Sequence, residues 1–215
     1  MSITHFWLVR HGETQWNASR RLQGWLDIPL SSVGIRQAEQ LADYLRSPSF
    51  DAAIDAVVSS DLSRAFETAR IAASHFGHAI EASPELRERS YGVYEGQDWA
   101  MLNNPLTGAA AVNFRDPQQD IEKGEALHRF DARIREAFEA LARRHQGRNV
   151  LAFAHGGVID IAWRRASRLS LDAERPDPIL NTSINRFSID GDNNWTLMDW
   201  GRVGHLEISA LDDIV

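Results

Sequence analysis

An α/β fold with a mostly parallel sheet is predicted by three features of the chain. Short continuous apolar runs alternate with segments of helical periodicity, strand then helix, which is the pattern of α/β proteins. Three of those runs end in polar loops, Arg10-His11-Gly12, Ser59 to Arg64 and His155-Gly156-Gly157, as strands do when their carboxyl ends meet at one crevice. The length of 215 residues, with 43% hydrophobic and 25% charged, fits one ordinary globular domain, so residues 1–215 are read as a single unit.

The elements follow in order. Phe6 to Val9 form a buried-type strand running into Arg10-His11-Gly12. Ala38, Leu41, Ala42 and Leu45 recur at helical spacing, with Ser31 or Ser32 as the cap and Pro48 as the stop. Ala56 to Val58 make a second strand, and Leu62, Ala65, Ala69 and Ala72 mark the helix after it. From Gln97 to Lys123 the periodicity fades among Asn103, Asn104, Pro105, Gly108 and Pro117, which predicts an excursion over one edge of the sheet. A long helix covers Glu125 to Arg144, because Phe130, Ile134, Ala137, Phe138 and Leu141 share a face. Asn149 to Ala154 is the next strand, followed by a helix through Val158, Ile161, Ala162 and Arg165. Ile184 to Ile189 and Trp195 to Trp200 flank Asp192-Asn193-Asn194 as a hairpin.

Composition narrows the function. Zero cysteines exclude disulfide frameworks, thiolate metal sites and cysteine nucleophiles, and fit a cytoplasmic setting. A net charge of -7 argues against nucleic acid as a partner, and no stretch approaches a membrane span or a secretion signal. All the basic residues except Lys123 are arginine, so any anion recognition rests on guanidinium groups, which bind bidentately and stay charged. The three polar loops would bring together two histidines and two arginines. That set suits a phosphoryl group: guanidinium forks for its oxygens, a neutral imidazole as nucleophile and a second imidazole as donor. Glycines after each histidine permit close backbone approach.

Leu8 to Asn17, reading Leu-Val-Arg-His-Gly-Glu-Thr-Gln-Trp-Asn, resembles the signature of the histidine phosphatase superfamily, which includes cofactor-dependent phosphoglycerate mutases and many phosphatases. Further blocks follow in that family's order: Gln23-Gly24 with Asp27, Pro29 and Leu30; Ser59 to Ala65 with Thr68-Ala69; Leu86 to Gly92 closing at Glu95-Gly96; and Ala154 to Gly157. The resemblance implies a three-layer sandwich, a mostly parallel central sheet with helices on both faces. His11 would attack phosphorus to give a phosphohistidine, splitting one displacement into two. Its other ring nitrogen would donate to a backbone carbonyl and fix the tautomer. Arg10, Arg64 and His155 would hold the phosphoryl oxygens, Asn17 would add a donor, and Gln23, Gly24 and Gly156 would complete the substrate-binding wall. Glu88 would protonate the leaving alcohol and then activate water, which requires its pKa to rise above about 4.3. No metal and no cofactor are implied, since the arginines supply the charge. The implied partner is a small phosphorylated metabolite, and family habits suggest a homodimer.

Within the family the sequence leans to a phosphatase over a mutase. Mutases carry a longer insertion after the glutamate block, rich in lysine and paired arginine. Residues 97 to 123 instead hold Arg115 and Lys123 against Asp98, Asp116, Asp120 and Glu122. The Arg87 to Gly92 block departs from the mutase form, and His155 precedes Gly156-Gly157 where mutases usually have Gly-Asn. A non-catalytic phosphate-binding module is the third reading, disfavoured because no catalytic group of the motif is lost. One departure stands apart: Gly124-Glu125-Ala126 lacks the serine hydroxyl that often opens the long helix. His205 is read as packing, Trp7, Trp16 and Trp163 as core, and Arg143-Arg144 and Arg164-Arg165 as solvated helix faces or ends.

Overall fold

A computed structural model describes residues 2–102, 112–175, 177–207 and 209–212. Six strands form one sheet: β1 Ile3–Arg10, β2 Ala56–Ser60, β3 Ile80–Ser83, β4 Asn149–Ala154, β5 Ile184–Asp190 and β6 Trp195–Arg202, in the order β3-β2-β4-β1-β5-β6. Strands β3, β2, β4 and β1 run parallel, while β5 is antiparallel to β1 and β6 to β5. The sheet is therefore mixed and mostly parallel, as the alternating sequence pattern predicts. Among the described residues no helix is long and apolar enough to cross a membrane.

Alternation along β1 explains the three layers. Phe6 and Leu8 point to one face and join Phe130, Ile134, Phe138, Val158 and Ile161 of α5 (Leu127–Arg144) and α6 (Gly156–Ser167). Trp7 and Val9 point to the other and join Leu41, Leu45, Ala69 and Ala72 of α2 (Ser32–Arg46) and α3 (Ser63–Ala72). A period of two in a strand buried on both faces requires both neighbours to be apolar, and the continuous run from Phe6 to Val9 supplies that.

Most boundaries match the sequence reading. Ser31 is the cap of α2, its Oγ accepting from the Gly34 amide at 3.1 Å. The predicted β4 and the β5–β6 hairpin form as expected. Strand β3 was not foreseen, because Ile80-Glu81-Ala82-Ser83 is short and has one large apolar residue; it pairs at the sheet edge, with Val57 opposite Ile80 and Ser60 opposite Ser83. Two single-turn helices, α1 (Gln15–Ala18) and α4 (Trp99–Leu102), also escaped periodicity.

The excursion packs elsewhere than expected. Asn103, Asn104, Pro105 and Gly108 lie outside the described residues. In the described part, Val112, Phe114 and Ile121 cluster with Leu22, Tyr91 and Trp99. The Trp99 amide donates to the Arg20 carbonyl, and the Leu22 amide to that of Gln97. This part thus sits on the loops beyond the carboxyl ends of the strands rather than along an edge strand.

Helix α5 begins at Leu127, with Ala126 as its cap and no side-chain hydrogen bond there. In place of a hydroxyl, the Pro117 carbonyl accepts the His128 amide at 3.3 Å and the Ala126 carbonyl accepts the Arg129 amide at 3.0 Å. Replacing Ala126→Ser offers these amides a second acceptor and is expected to stabilise the fold by about 0.5 kcal/mol, or roughly 1–2 °C in Tm. An unchanged or lower Tm in a thermal melt would show that the hydroxyl cannot reach the amide.

Candidate active site

Parallel register sets the site. Arg10 lies opposite Ala154 and Ser59 opposite Phe153, so β1, β2 and β4 end level and deliver Arg10-His11, Ser60 to Arg64 and His155 to one place. Beyond β3 the chain turns through Pro84 to Leu86 and brings Glu88 to the same crevice. The resulting cavity of about 360 Å³ is lined by Arg10, His11, Asn17, Gln23, Gly24, Arg64, Glu88 and Gly156, together with Arg21, Leu22 and Tyr91. Eight of the nine sequence-predicted residues therefore share one cavity. The ninth, His155, lies directly behind it, its ring centroid 5.2 Å from that of His11.

All five predicted catalytic residues are buried, none more than 8% exposed. His11 is locked by its surroundings. Its amide donates to the Ala154 carbonyl at 3.0 Å, and its carbonyl accepts from Asn181 Nδ2 at 3.0 Å. Nδ1 lies 2.7 Å from the Gly12 carbonyl, so it carries the proton and donates, leaving the Nε2 lone pair available. Burial, and then the Arg64 and Arg10 charges, hold the His11 pKa well below its ordinary 6.5. The imidazole is neutral, which a nucleophile must be.

The two arginines are held by carbonyls. Arg10 Nη1 donates to the Ile179 carbonyl at 2.6 Å and to the Leu211 carbonyl at 2.8 Å. Arg64 donates from Nη1 to Leu26 at 3.0 Å and from Nη2 to Gly24 at 2.8 Å. Burial lowers the Arg64 pKa to about 10, yet at that value it remains charged at neutral pH. His155 Nε2 lies 2.8 Å from Ser60 Oγ, while its buried Nδ1 has no hydrogen-bond partner. Burial, with Arg64 next, keeps its pKa well below 6.5.

Glu88 accepts the Arg89 amide on Oε1 at 2.8 Å and the Gly157 amide on Oε2 at 3.0 Å. A Cβ on Gly157 would lie 2.3 Å from Glu88 Oε1, so glycine is required there for the carboxylate to approach. Thr14 caps α1 through a reciprocal pair with Asn17, whose Oδ1 accepts the Thr14 amide at 3.0 Å; Thr14 Oγ1 also lies 3.0 Å from Gln23 Oε1. With the amide oxygens of Asn17 and Gln23 turned to Thr14, their NH₂ groups are left for the cavity. Gly24 sits at φ 51°, and a Cβ there would lie 2.1 Å from Glu95 Oε1. That oxygen accepts the Trp25 and Tyr91 amides, each at 3.0 Å, and ties two walls of the site together.

Several supporting residues were not singled out by sequence. Arg133 grips Glu125 with two bonds, at 2.9 and 2.7 Å, and donates to the carbonyls of Glu85, Arg87 and Glu88, fixing the strand of chain that carries Glu88. Thr182, held at φ 55°, donates its amide to the Arg10 carbonyl at 3.1 Å. Positive φ is costly for a β-branched residue and marks a site the surroundings over-determine. A Thr or Asn before a strand gives no local signal of this role. His205 stacks on Tyr44 with centroids 5.7 Å apart, and burial takes its pKa down to about 4. The packing reading of His205 therefore fits. Trp7 and Trp163 are buried, as expected of core residues, whereas Arg164 is 4% exposed and bonded to Asp160, which corrects its reading as solvated.

The arrangement is an α/β crevice in which two guanidinium groups and a neutral imidazole share one cavity. The model of the histidine phosphatase superfamily (branch 1) matches residues 6–202, and the chain belongs to that family. It is similar to phosphoglycerate mutase-like protein 4 of Arabidopsis thaliana, 37% identical over 204 residues, covering 93% of this chain and 86% of that one. It also resembles the metal-independent phosphoserine phosphatase of the same plant, 34% identical over 208 residues and covering 95% and 84%. Among solved structures, YhfR of Bacillus stearothermophilus superposes with a TM-score of 0.82 at 29% identity, over 94% of this chain and 98% of that one.

Neutral burial of His11 and His155 links stability to pH. Each has a folded pKa below its unfolded value of about 6.5, so its contribution is complete above that pH and is lost as pH falls below it. Going from pH 7.5 to 5.5 is expected to cost about 1 kcal/mol per buried histidine, read as a lower denaturation midpoint. A midpoint that stays flat across this window would mean that these rings take up protons in the fold as they do in the unfolded chain.

Proposed function

We propose that this protein is a phosphomonoester hydrolase acting on a small phosphorylated metabolite through a phosphohistidine at His11. The observation that carries the reading is the neutral His11 imidazole, its Nε2 lone pair free, in a cavity with the Arg10 and Arg64 guanidinium groups. In the first step Nε2 forms a bond to phosphorus as the bond to the ester oxygen breaks, and Glu88 gives its proton to the departing oxygen. In the second, Glu88 takes a proton from water, the water oxygen bonds to phosphorus and the P–N bond breaks, returning His11 to its neutral form. Arg10 and Arg64 balance the phosphoryl charge in both steps, with Asn17, Gln23 and the backbone near Gly24 and Gly156 as further donors. His155 contributes Nδ1, the ring nitrogen without a partner, while Ser60 orients the ring through Nε2.

Water is the acceptor in this reading because the described part of the excursion carries no lysine clamp for a second phosphate. The names of the relatives divide between mutase-like and phosphatase, and the two acceptors give different products. We further infer that the chain acts as one domain, since both helical layers pack on one sheet. A cytoplasmic location rests on the absence of cysteine, and a homodimer on the dimers common in the family.

The phosphatase reading predicts inorganic phosphate from p-nitrophenyl phosphate, and no 2-phosphoglycerate from 3-phosphoglycerate with 2,3-bisphosphoglycerate. Rapid isomerisation would overturn it in favour of the mutase. For Glu88→Gln, turnover of an alkyl phosphate should fall by about 10²–10⁴, with a smaller loss for p-nitrophenyl phosphate, whose leaving group needs little protonation. Equal losses on both esters would remove Glu88 from the acid role.

A further inference from the structure

One residue of α2 departs from the rest of its face. The helix buries Gly34, Gln37, Ala38, Leu41, Ala42 and Leu45, and in this set Gln37 alone carries a polar side chain. It is 0% exposed. Taking an amide out of water carries a desolvation cost that leucine or methionine at the same place would not, unless both its ends find partners.

Both ends are used. Oε1 accepts the Glu13 amide at 2.8 Å, and Nε2 donates to the Ser209 carbonyl at 3.1 Å. The Glu13 nitrogen can only donate, which fixes the end of the side chain that faces it. Glu13 N–H and Gly12 C=O belong to one peptide group, and that carbonyl is the acceptor 2.7 Å from His11 Nδ1. A chain of hydrogen bonds therefore runs from His11 Nδ1–H through a single peptide to Gln37, and on to the segment after β6. The peptide is packed in place as well as bonded. The Gly12 amide donates to Thr68 Oγ1 of α3 at 3.0 Å, and the Glu13 carbonyl accepts the Ser31 amide at 2.8 Å. Gly34 approaches so closely that a Cβ on it would lie 2.1 Å from the Glu13 carbonyl oxygen.

We propose that Gln37 is a positioning residue for the nucleophile, holding the Gly12–Glu13 peptide so that its carbonyl keeps the proton on His11 Nδ1 and leaves Nε2 free to attack. Its effect on catalysis rests on the phosphatase reading; its hold on the His11 tautomer does not. Accepting a hydrogen bond from a peptide N–H polarises the carbonyl of the same peptide, strengthening the next bond by about 10–30%. The gain is largest once Nε2 has bonded to phosphorus, because Nδ1 keeps its proton, the ring becomes positive and its bond to the Gly12 carbonyl becomes charge-assisted. No contact between Gln37 and the phosphoryl group is needed.

Proton and ¹⁵N NMR of the His11 ring in the ligand-free protein reads the tautomer without turnover. Gln37→Met keeps the side-chain volume and removes the acceptor, so the Nδ1–H resonance should move upfield and signal from the Nε2–H tautomer should appear. Its kcat/KM for p-nitrophenyl phosphate is expected to fall about tenfold, the worth of one hydrogen bond. The inhibition constant of inorganic phosphate, set by Arg10 and Arg64, should stay within about twofold. Gln37→Glu, measured at pH 9 where the new carboxyl is ionised, offers the Glu13 amide a stronger acceptor and should move the Nδ1–H resonance downfield, which tests the role even if the methionine variant fails to fold. Wild-type ring signals in both variants would overturn the role, as would a loss of kcat/KM in Gln37→Met matched by an equal weakening of phosphate binding. If the wild-type protein hydrolyses no ester but both substitutions move the ring signals as described, the phosphatase reading falls and the hold on His11 stands. If the ester is hydrolysed and neither substitution moves them, the reverse is true.

Discussion

The structure depends on keeping a neutral imidazole and two guanidinium groups together in a place from which water is nearly excluded. Buried cations are expensive unless their donors are satisfied. Backbone carbonyls provide the satisfaction: Ile179 and Leu211 for Arg10, Gly24 and Leu26 for Arg64. A carbonyl fills a donor without cancelling its charge, so the positive potential that adds to burial in depressing the His11 pKa is also available to a phosphoryl group. The level ends of β1, β2 and β4 make the arrangement possible, and the loops from Gly24 to Leu26 and from Ile179 to Ser183 exist in their present form to hold it.

This resolves the apparent conflict between an acidic chain and an anionic substrate. The charge of -7 is a sum over a surface whose members are screened beyond about 8 Å at physiological salt, whereas the Arg10 and Arg64 charges line the cavity itself. The arginine-dominated composition has a structural use as well. Arg133 bonds Glu125 and three carbonyls at once, and Arg89 bonds two, which a lysine ammonium could not do with fixed geometry.

Sequence patterns disclosed what is local. The run Phe6 to Val9, the spacing of Ala38 to Leu45 and the apolar face of α5 each encode an element within one window, and the ordered motif blocks identify the family. What stayed hidden depends on distant pairings. Asn181 reaches the His11 carbonyl across 170 residues, and Leu211 reaches Arg10 across 201, with no periodicity to announce either. Strand β3 was missed because an edge strand needs little apolar surface. Arg164 was misjudged because a charged residue on a helix is ordinarily solvated, and its burial follows from Asp160 and the segment after α6. The excursion was misplaced because Leu22 and Tyr91, on which it packs, give no hint of their own neighbours.

The central claim is that His11 Nε2 takes the phosphoryl group. Rapid acid-free quenching during turnover of a phosphate ester, followed by peptide mass spectrometry and ³¹P NMR, tests this most directly. The account predicts one acid-labile phosphoryl group on His11, attached at Nε2 because Nδ1 is committed to the Gly12 carbonyl, and none in the His11→Ala protein. Phosphorylation at Nδ1 or on another residue, or turnover that persists in the His11→Ala protein, would contradict it.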